Sequence, residues 1–527
     1  MRQAIVEGRT VIGIELGSTR IKAVLIGEEH ELLAVGSHSW ENQFVDRLWT
    51  YSLESVWAGL QACYASLAAD VRQRYGVELT TLGGLGVSAM MHGYLAFDAA
   101  GELLTPFRTW RNTNTGAAVE RLSARFGHNI PHRWSIAHLY QAILDKEEHV
   151  GKIAHLTTLA GYVHWQLTGE QVLGVGDASG MFPIDVATGG YDAALIAAFD
   201  DLVVEQGLTC GLAGLLPTIR RAGDAAGILT DAGARLLDPS GALRAGIALC
   251  PPEGDAGTGM VATNSVAPRT GNVSAGTSIF AMVVLEHELS RIRHQLDLVT
   301  TPAGDLVAMV HCNNGASEIK AWVGLFVEFA AATGSELDTS TIFETLFRSA
   351  LSGAADGGGL MAFNHLSGEP ITGLDEGRPL FLRSPDSTFD LATFMRTHLY
   401  AALATLRIGM DVLQKDEGVR LDTMFAHGGL FTTKGVAQRF LAAALDTPVS
   451  VGATASEGGA WGIAILAAFL AHRETGQTLA DYLNTRVFAD ADLETIEPDP
   501  ADVAGFEAFM KRYVEALPVQ QTAVVHT

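Results

Sequence analysis

The chain has only four cysteines in 527 residues, Cys63, Cys210, Cys250 and Cys312, and no two of them form a C-x-x-C pair. This excludes a disulfide framework and a paired-cysteine zinc site, and fits a reducing compartment in which the thiols act as small buried hydrophobes. Positive charge is also scarce: 35 Lys and Arg stand against 59 Asp and Glu, a formal net charge of -24. A nucleic-acid binder would carry the opposite footprint. The longest late apolar run, Ala460 to Ala471, is too short to span a bilayer, and the N-terminal MRQAIVEGRT lacks the apolar stretch of a secretory signal. Neither membrane nor nucleic acid is therefore an expected partner, and the expected location is cytoplasmic. No G-x-x-x-x-G-K-[ST] occurs, because Gly151-Lys152 is followed by Ile153, and no G-x-G-x-x-G follows a strand, which removes the P-loop and dinucleotide readings. His128 and His132 are four apart, but Pro131 interrupts any helix that would present both to a metal.

The chain has length and glycine in plenty. At 527 residues it exceeds the size at which one core stops growing, so two α/β domains are expected. Its 57 glycines, about 11% against a usual ~7%, are spread among turns and do not form a low-complexity tract. Val56, Leu60, Tyr64 and Leu67 recur at helical spacing and predict a helix over 53–75, followed by a short strand over 82–87. Further helices are expected over 117–126, 136–146, 158–167 and 393–415, with a strand at 424–426 running into His427-Gly428-Gly429. Pro251-Pro252-Glu253-Gly254 reads as a loop, and Ala267-Pro268-Arg269 as the natural domain cut. The resulting division is 1–268, 269–485 and a C-terminal extension 486–527.

Two segments carry chemistry. The first, VIGIELGSTRIKAVLI, is an apolar strand with Glu15 near its end, a Gly17-Ser18-Thr19 turn and a second, alternating strand. A carboxylate just before a glycine-led turn can hold a hydrated divalent cation, while the turn's amides and hydroxyls approach phosphate oxygens. The second, GNVSAGTSIFAMV, repeats the plan: aligning Gly17 with Gly276 sets Ser18-Thr19 against Thr277-Ser278 and Glu15 against Ser274. The copy keeps the hydroxyl turn and lacks the acid. Just before it, Asp255 opens a run of small residues. A sugar hydroxyl needs a positioned base to become a nucleophile, and Asp255 is the candidate, although the same residue type is a preferred helix N-cap. Two late glycine clusters, 427–431 and 456–462, would let backbone approach a flat ring.

The paired hairpins resemble those of the actin, heat-shock chaperone and sugar-kinase superfamily. There, two actin-like (ribonuclease H-like) α/β domains clasp the phosphates of ATP from opposite sides of an interdomain cleft. The order of IELGSTRIKA, SAMMHG, FRTWRN, LAGYVHWQLTGE, GDASGMFPID, PEGDAGTG, GNVSAGTSIF, AHGGLFTTKG and ASEGGAWGIAILA further resembles the FGGY carbohydrate kinases over nearly the whole chain. Within that family the motifs are most similar to xylulokinases and other ketopentose kinases. The resemblance implies an ATP-dependent, Mg²⁺-assisted transfer to a primary hydroxyl of a small-molecule sugar of D-xylulose or L-ribulose type, with Asp255 as base. It implies sugar contacts from Met91, His92, Gly93, Trp110, Arg111, Asp177 and Asp255, and metal contacts from Glu15 and Asp255. Gly17, Ser18, Thr19, Gly276, Thr277 and Ser278 would meet phosphate, and Gly428, Gly429, Gly458 and Gly459 would approach adenosine. Lys22 is grouped with the cofactor-binding residues, though its strand face reads more readily as solvated than as catalytic.

The chain departs from the family pattern at three places: Glu15 stands where Asp is usual, Arg111-Asn112 replaces an Asn-Asp pair, and Pro252-Glu253 replaces glycines. Such exchanges can redirect sugar choice, so kinases of a hexulose, glycerol or gluconate stay as alternatives. An ATP-gated filament or binding protein on the same scaffold is the alternative from another class. A homodimer is the expected oligomeric state, as the commonest one for soluble enzymes.

Overall fold

The computed structural model describes residues 1–208, 211–452, 458–491 and 493–527. Cys210, and Ser456 and Glu457 of the second glycine cluster, lie outside the described residues. The chain divides into two units, Met1–Val266 with Leu298–Val307 and Glu457–Ala491, and Ala267–Asp297 with Ala308–Ser456 and Asp492–Thr527. The crossing near residue 266 lies close to the expected cut at 268, but the segment after 457 differs from the linear division. It was expected in the second domain and instead packs in the first unit.

The first unit is built on a five-stranded sheet. Its strands are β1 (Val11–Leu16), β2 (Arg20–Ile26), β3 (Leu32–Ser39), β4 (Gly84–Ala89) and β5 (Glu253–Gly254), in the order β5-β4-β1-β2-β3. β1 runs antiparallel to β2 and parallel to β4, β2 antiparallel to β3, and β4 parallel to β5. The expected loop at Pro251 to Gly254 is thus partly a strand: Pro251 and Pro252 stop earlier pairing, and the two residues after them find the open edge of β4. Helix α1 (Leu53–Tyr75) starts where Ser52 accepts a hydrogen bond from the Ser55 amide at 3.1 Å and ends at Gly76, whose φ of 65° requires the left-handed conformation. Its stripe of Val56, Leu60, Cys63, Tyr64, Leu67 and Val71 is buried against β2 and β3.

Helix α2 (Asp255–Ala262) follows β5 directly, and α3 (Gly458–His472) lies across β1, β4 and α2. Every residue of α3 from Gly459 to Phe469 is buried, so the helix is apolar all round, as a helix inside a core must be. Its close seating depends on missing side chains. A Cβ on Gly13 of β1 would lie 2.1 Å from the Ala460 carbonyl oxygen, and one on Gly462 would lie 2.0 Å from that of Thr258 in α2.

The second unit repeats the connectivity. Strands β6 (Thr270–Ala275), β7 (Ile279–Val284), β8 (Leu306–Cys312), β9 (Thr423–His427) and β10 (Val449–Gly452) occur in the order β8-β7-β6-β9-β10, extended by the edge strand Leu493–Ile496 beside β10. β6 is antiparallel to β7 and parallel to β9, and β9 is parallel to β10. These are the relations of β1 to β2 and β4, and of β4 to β5, so the two units are copies of one plan. The C-terminal helix Pro500–His526 is tied to the second unit by Asp502, which accepts from Arg396 and Arg439. Arg396 and Asp502 are 3% and 4% exposed. Removing one partner strands the other in low dielectric, so Asp502→Ala is expected to cost about 3–5 kcal/mol. A thermal melt of the variant should fall well below that of the parent, and coincident melts would contradict the anchor.

Candidate active site

Three parallel strands of the first unit, β1, β4 and β5, end on one edge of the sheet, and each leaves a candidate residue there. That is the edge at which open α/β sheets bind ligands. β1 delivers Glu15 and the Gly17–Thr19 turn, β4 delivers Met91 to Gly93, and β5 delivers Asp255. The turn is braced from behind. Trp40 donates through its indole N–H to the Gly17 carbonyl at 2.7 Å, Tyr51 through its hydroxyl to the Ser18 carbonyl at 2.6 Å, and the Trp40 amide to the Thr19 carbonyl at 3.2 Å. With its carbonyls drawn into the protein, the turn is left with amides and hydroxyls for a ligand. Trp110 also belongs here, its indole N–H lying 3.3 Å from the Ser18 hydroxyl oxygen. Arg111 is exposed, its guanidinium 5.0 Å from the Trp49 ring and 5.6 Å from that of Trp110. Lys22 is the cross-strand partner of Glu15 and pulls that carboxyl downward, so it is electrostatically part of the site.

Asp255 is the first residue of α2, not its cap: Gly254 holds the N-cap position. The carboxylate is turned instead toward the β4 loop, where Oδ1 accepts the Met91 amide at 3.0 Å. Asp255 is exposed, yet protein atoms crowd around it, and desolvation raises its carboxyl above the ordinary value despite the amides of Met91 and Ala256. His92 sits at φ 71°, an uncommon state for a side-chain-bearing residue, and is held there by contact between Nδ1 and the Gly180 carbonyl at 3.2 Å and by stacking near Trp134. At Gly93, φ is 98°, and a Cβ would lie 2.9 Å from the Arg108 carbonyl oxygen.

Glu15 meets the N-terminus of α3. Its carboxylate accepts the Ala460 amide, and a Cβ on Gly459 would lie 2.4 Å from Oε1. Glycine at 459 lets the Glu15 carboxylate lie close to the helix, whereas the sequence suggested the approach of a purine; Gly458 opens the same helix. A helix N-terminus favours the negative charge, but desolvation first and Asp255 second push the Glu15 carboxyl up to about 7. Asp177 is also placed differently from its expected sugar contact. At 1% exposure it lies beneath the site, Oδ2 accepting the Thr158 hydroxyl at 2.6 Å and Oδ1 without a partner. Below it, Glu253 accepts the amides of Gly176 and Asp177. Burial foremost, with the two acids' mutual repulsion added for Glu253, raises Asp177 to about 7 and Glu253 to about 8. Thr158, Glu253 and the Ala460 amide are site components that motif reading passed over, because each reaches the site through the fold and not through its neighbours in sequence.

The second unit carries the other turn. The Gly276 and Thr277 carbonyls accept the amides of Ala316 at 2.9 Å and Gly315 at 2.8 Å, so this turn too is braced from behind. At Gly428, φ is 104°, and a Cβ would lie 2.5 Å from the Ala275 carbonyl oxygen. Gly429 lines a cavity of about 700 Å³ with Thr432, Thr433, Ser340, Phe343 and Lys320, a size typical of small-molecule sites.

Among the described residues no group of three or more His, Cys, Asp or Glu could hold a metal ion. Glu15 and Asp255 provide two carboxylates that repel one another, and a cation would relieve that repulsion. Two acids suit Mg²⁺, which is commonly held by one or two carboxylates together with substrate phosphates and water. No described helix is long and apolar enough to cross a membrane.

Two units of one connectivity, each offering a glycine-hydroxyl turn, define an actin-like, ribonuclease H-like sugar-kinase fold. Residues 10–238 match the N-terminal domain and residues 271–471 the C-terminal domain of the FGGY family of carbohydrate kinases, and the chain belongs to that family. Xylulose kinases of Klebsiella pneumoniae and Escherichia coli (strain K12) are each 24% identical to it, over 200 and 196 residues that make up 36% of this chain and 40% of each relative. The match therefore spans less than half of those relatives. Among solved structures, a xylulose kinase from Rhodospirillum rubrum has a TM-score of 0.79 at 21% identity, covering 98% of this chain and 100% of its own. A gluconate kinase from Lactobacillus acidophilus has 0.76 at 16%, covering 97% and 98%. Likeness at these identities establishes the fold.

The buried pair Asp177 and Glu253 generates a pH dependence. Both carboxyls keep their protons in the folded chain at pH values where the unfolded chain has lost them. The folded state then binds more protons than the unfolded state from the ordinary carboxylate range up to about 8, so the pair weakens the fold as pH rises through that window. Asp177→Asn removes one member and keeps an acceptor for Thr158. Its melting temperature relative to the parent should rise from about pH 5 to about pH 8, whereas a flat or falling difference would contradict the pairing.

Proposed function

We propose that the chain transfers the γ-phosphoryl group of ATP to a primary hydroxyl of a ketopentose of D-xylulose or L-ribulose type. The observation that carries this reading is the placement of Asp255. It is presented at the same strand edge as the Gly17–Thr19 turn, fixed by the Met91 amide and raised by desolvation toward the range useful to a general base. A hydroxyl held by the Met91–Gly93 loop and Trp110 would give its proton to Asp255 as the new O–P bond forms. Each glycine turn, Gly17–Thr19 in the first unit and Gly276–Ser278 in the second, is suited to phosphate oxygens, and Lys22 adds positive charge beside the first. Mg²⁺, when bound through Glu15 and Asp255, would supply charge neutralisation at the phosphates. Gly428 and Gly429 admit the adenosine to the cavity faced by Phe343, while Gly458 and Gly459 act through Glu15.

Arg111 favours a second reading. An exposed guanidinium held over two indoles beside the first turn suits a sugar acid, and gluconate is the simplest such acceptor. The two readings separate in an ADP-release assay over D-xylulose, L-ribulose, a hexulose, glycerol and gluconate. The ketopentoses should give the highest kcat/KM; a preference for gluconate would favour the second reading, and sugar-independent turnover would overturn both. Asp255→Ala is expected to bind sugar and lose at least about a hundredfold in kcat, the scale of a general base. Because Asp255 must be ionised to accept a proton and its carboxyl is raised, the acid limb of kcat/KM should lie above the ordinary carboxylate range. Turnover of the variant close to the parent's would remove Asp255 from the mechanism.

A further inference from the structure

The second turn is held by a layer that the mechanism above does not use. Its two carbonyls are gripped by the amides of Gly315 and Ala316, residues of a short strap, Asn313 to Ala316, between β8 and the helix Ser317–Ala332. The strap has its own support. Asn314 donates from its amide and from Nδ2 to Glu369 Oε2, at 3.2 and 3.1 Å, and its Oδ1 accepts the amides of Leu366 and Ser367. Asn364 closes the other side, donating through Nδ2 to the carbonyls of Asn314 and Gly315, both at 3.0 Å. Glu369 is 0% exposed, its Oε1 has no partner, and burial raises its carboxyl to about 7. A buried carboxyl is costly, and the amides of Asn313 and Ile371, which also pull it downward, offset part of that cost. Here it meets a run of backbone that also grips the phosphate turn, through the amides of Gly315 and Ala316.

We infer that Glu369 is a positioning residue for the nucleotide: through Asn314 and the Gly315–Ala316 strap it sets the conformation of the Gly276–Ser278 turn. The inference rests on the reading of that turn as a phosphate site. The side chain touches neither substrate. Its effect is transmitted by a chain of hydrogen bonds that fixes where the turn's carbonyls point and therefore where its amides point. Glutamine can take over the task, since its Oε1 still accepts both Asn314 donors and its amide occupies the place of the unpartnered oxygen. Alanine cannot: it leaves the Asn314 amide without its acceptor and Nδ2 with only the carbonyls of Ser367 and Gly368.

The test measures both Michaelis constants and, by calorimetry, ATP affinity for the full-length parent, Glu369→Ala, Glu369→Gln and, as a control in the turn itself, Gly276→Val. Glu369→Ala should raise the KM and Kd for ATP about tenfold, the scale of one hydrogen bond to a charged group, and leave the KM for sugar unchanged. Glu369→Gln should stay within about twofold of the parent, because the acceptor for Asn314 is retained. Should the alanine variant fail to fold, Asn314→Ala breaks the same link and should show the same selective loss. Unchanged ATP affinity in a folded Glu369→Ala or Asn314→Ala, or an equal rise in both Michaelis constants, overturns the positioning role. If the parent binds ATP and Gly276→Val leaves that affinity untouched, the reading of the turn has failed instead.

Discussion

The contact on which most of this structure depends is the seating of α3 against the first sheet. A helix from near residue 460 reaches within backbone distance of a strand from near residue 13 because Gly13 offers no Cβ to hold them apart, and Gly462 allows the same closeness to Thr258 of α2. That approach places the N-terminus of α3 at Glu15, gives the acid an amide partner at Ala460, and fixes its distance from Asp255 closely enough for the two to repel. A side chain at Gly13 would have to push the helix off the sheet, and one at Gly462 would push it off α2, because the atoms they meet are backbone.

Duplication explains why the same apparatus appears twice with different contents. Both units set their first two strands as a hairpin and their fourth strand parallel to the first, so in each the glycine turn and the loop after the fourth strand emerge at one edge. In the first unit that loop is Met91 to Gly93, beside Asp255; in the second it is Gly428 to Phe431, beside a cavity. The penultimate residue of the leading strand is Glu15 in one copy and Ser274 in the other. The second turn is one residue tighter, its glycine amide bonding to Ser278, whereas in the first copy Gly17 reaches Arg20. Both turns have their carbonyls occupied by the surrounding protein, by aromatic side chains in the first and by a backbone strap in the second.

Much of this was legible in the residues. The helix over Leu53–Tyr75 has a cap, a stripe and a stop glycine, all local signals, and its observed ends coincide with the expected ones. The hairpins and Asp255 at the start of a helix were likewise visible, since strand, turn and helix start are written in adjacent residues. What sequence could not place are relations carried by distant packing. The pairing of Glu253–Gly254 with β4 needs an open strand edge in view. The return of α3 to the first unit contradicts chain order, and Gly459 looked like a ring-binding glycine until Glu15 was seen beside it. Asp177 had the right chemistry for a sugar contact, and its burial against Thr158 is a relation that only the fold reveals.

The central claim is that Asp255, set by β5 and the Met91 amide, is the group that receives the acceptor's proton. A crystal structure of the chain with Mg²⁺, a non-hydrolysable ATP analogue and the preferred acceptor from the assay tests it most directly. The account predicts an Asp255 carboxylate oxygen within about 3 Å of the reacting hydroxyl, with the Gly17–Thr19 turn on phosphate oxygens. A hydroxyl whose nearest base is another residue, with Asp255 facing away from it, would contradict the account.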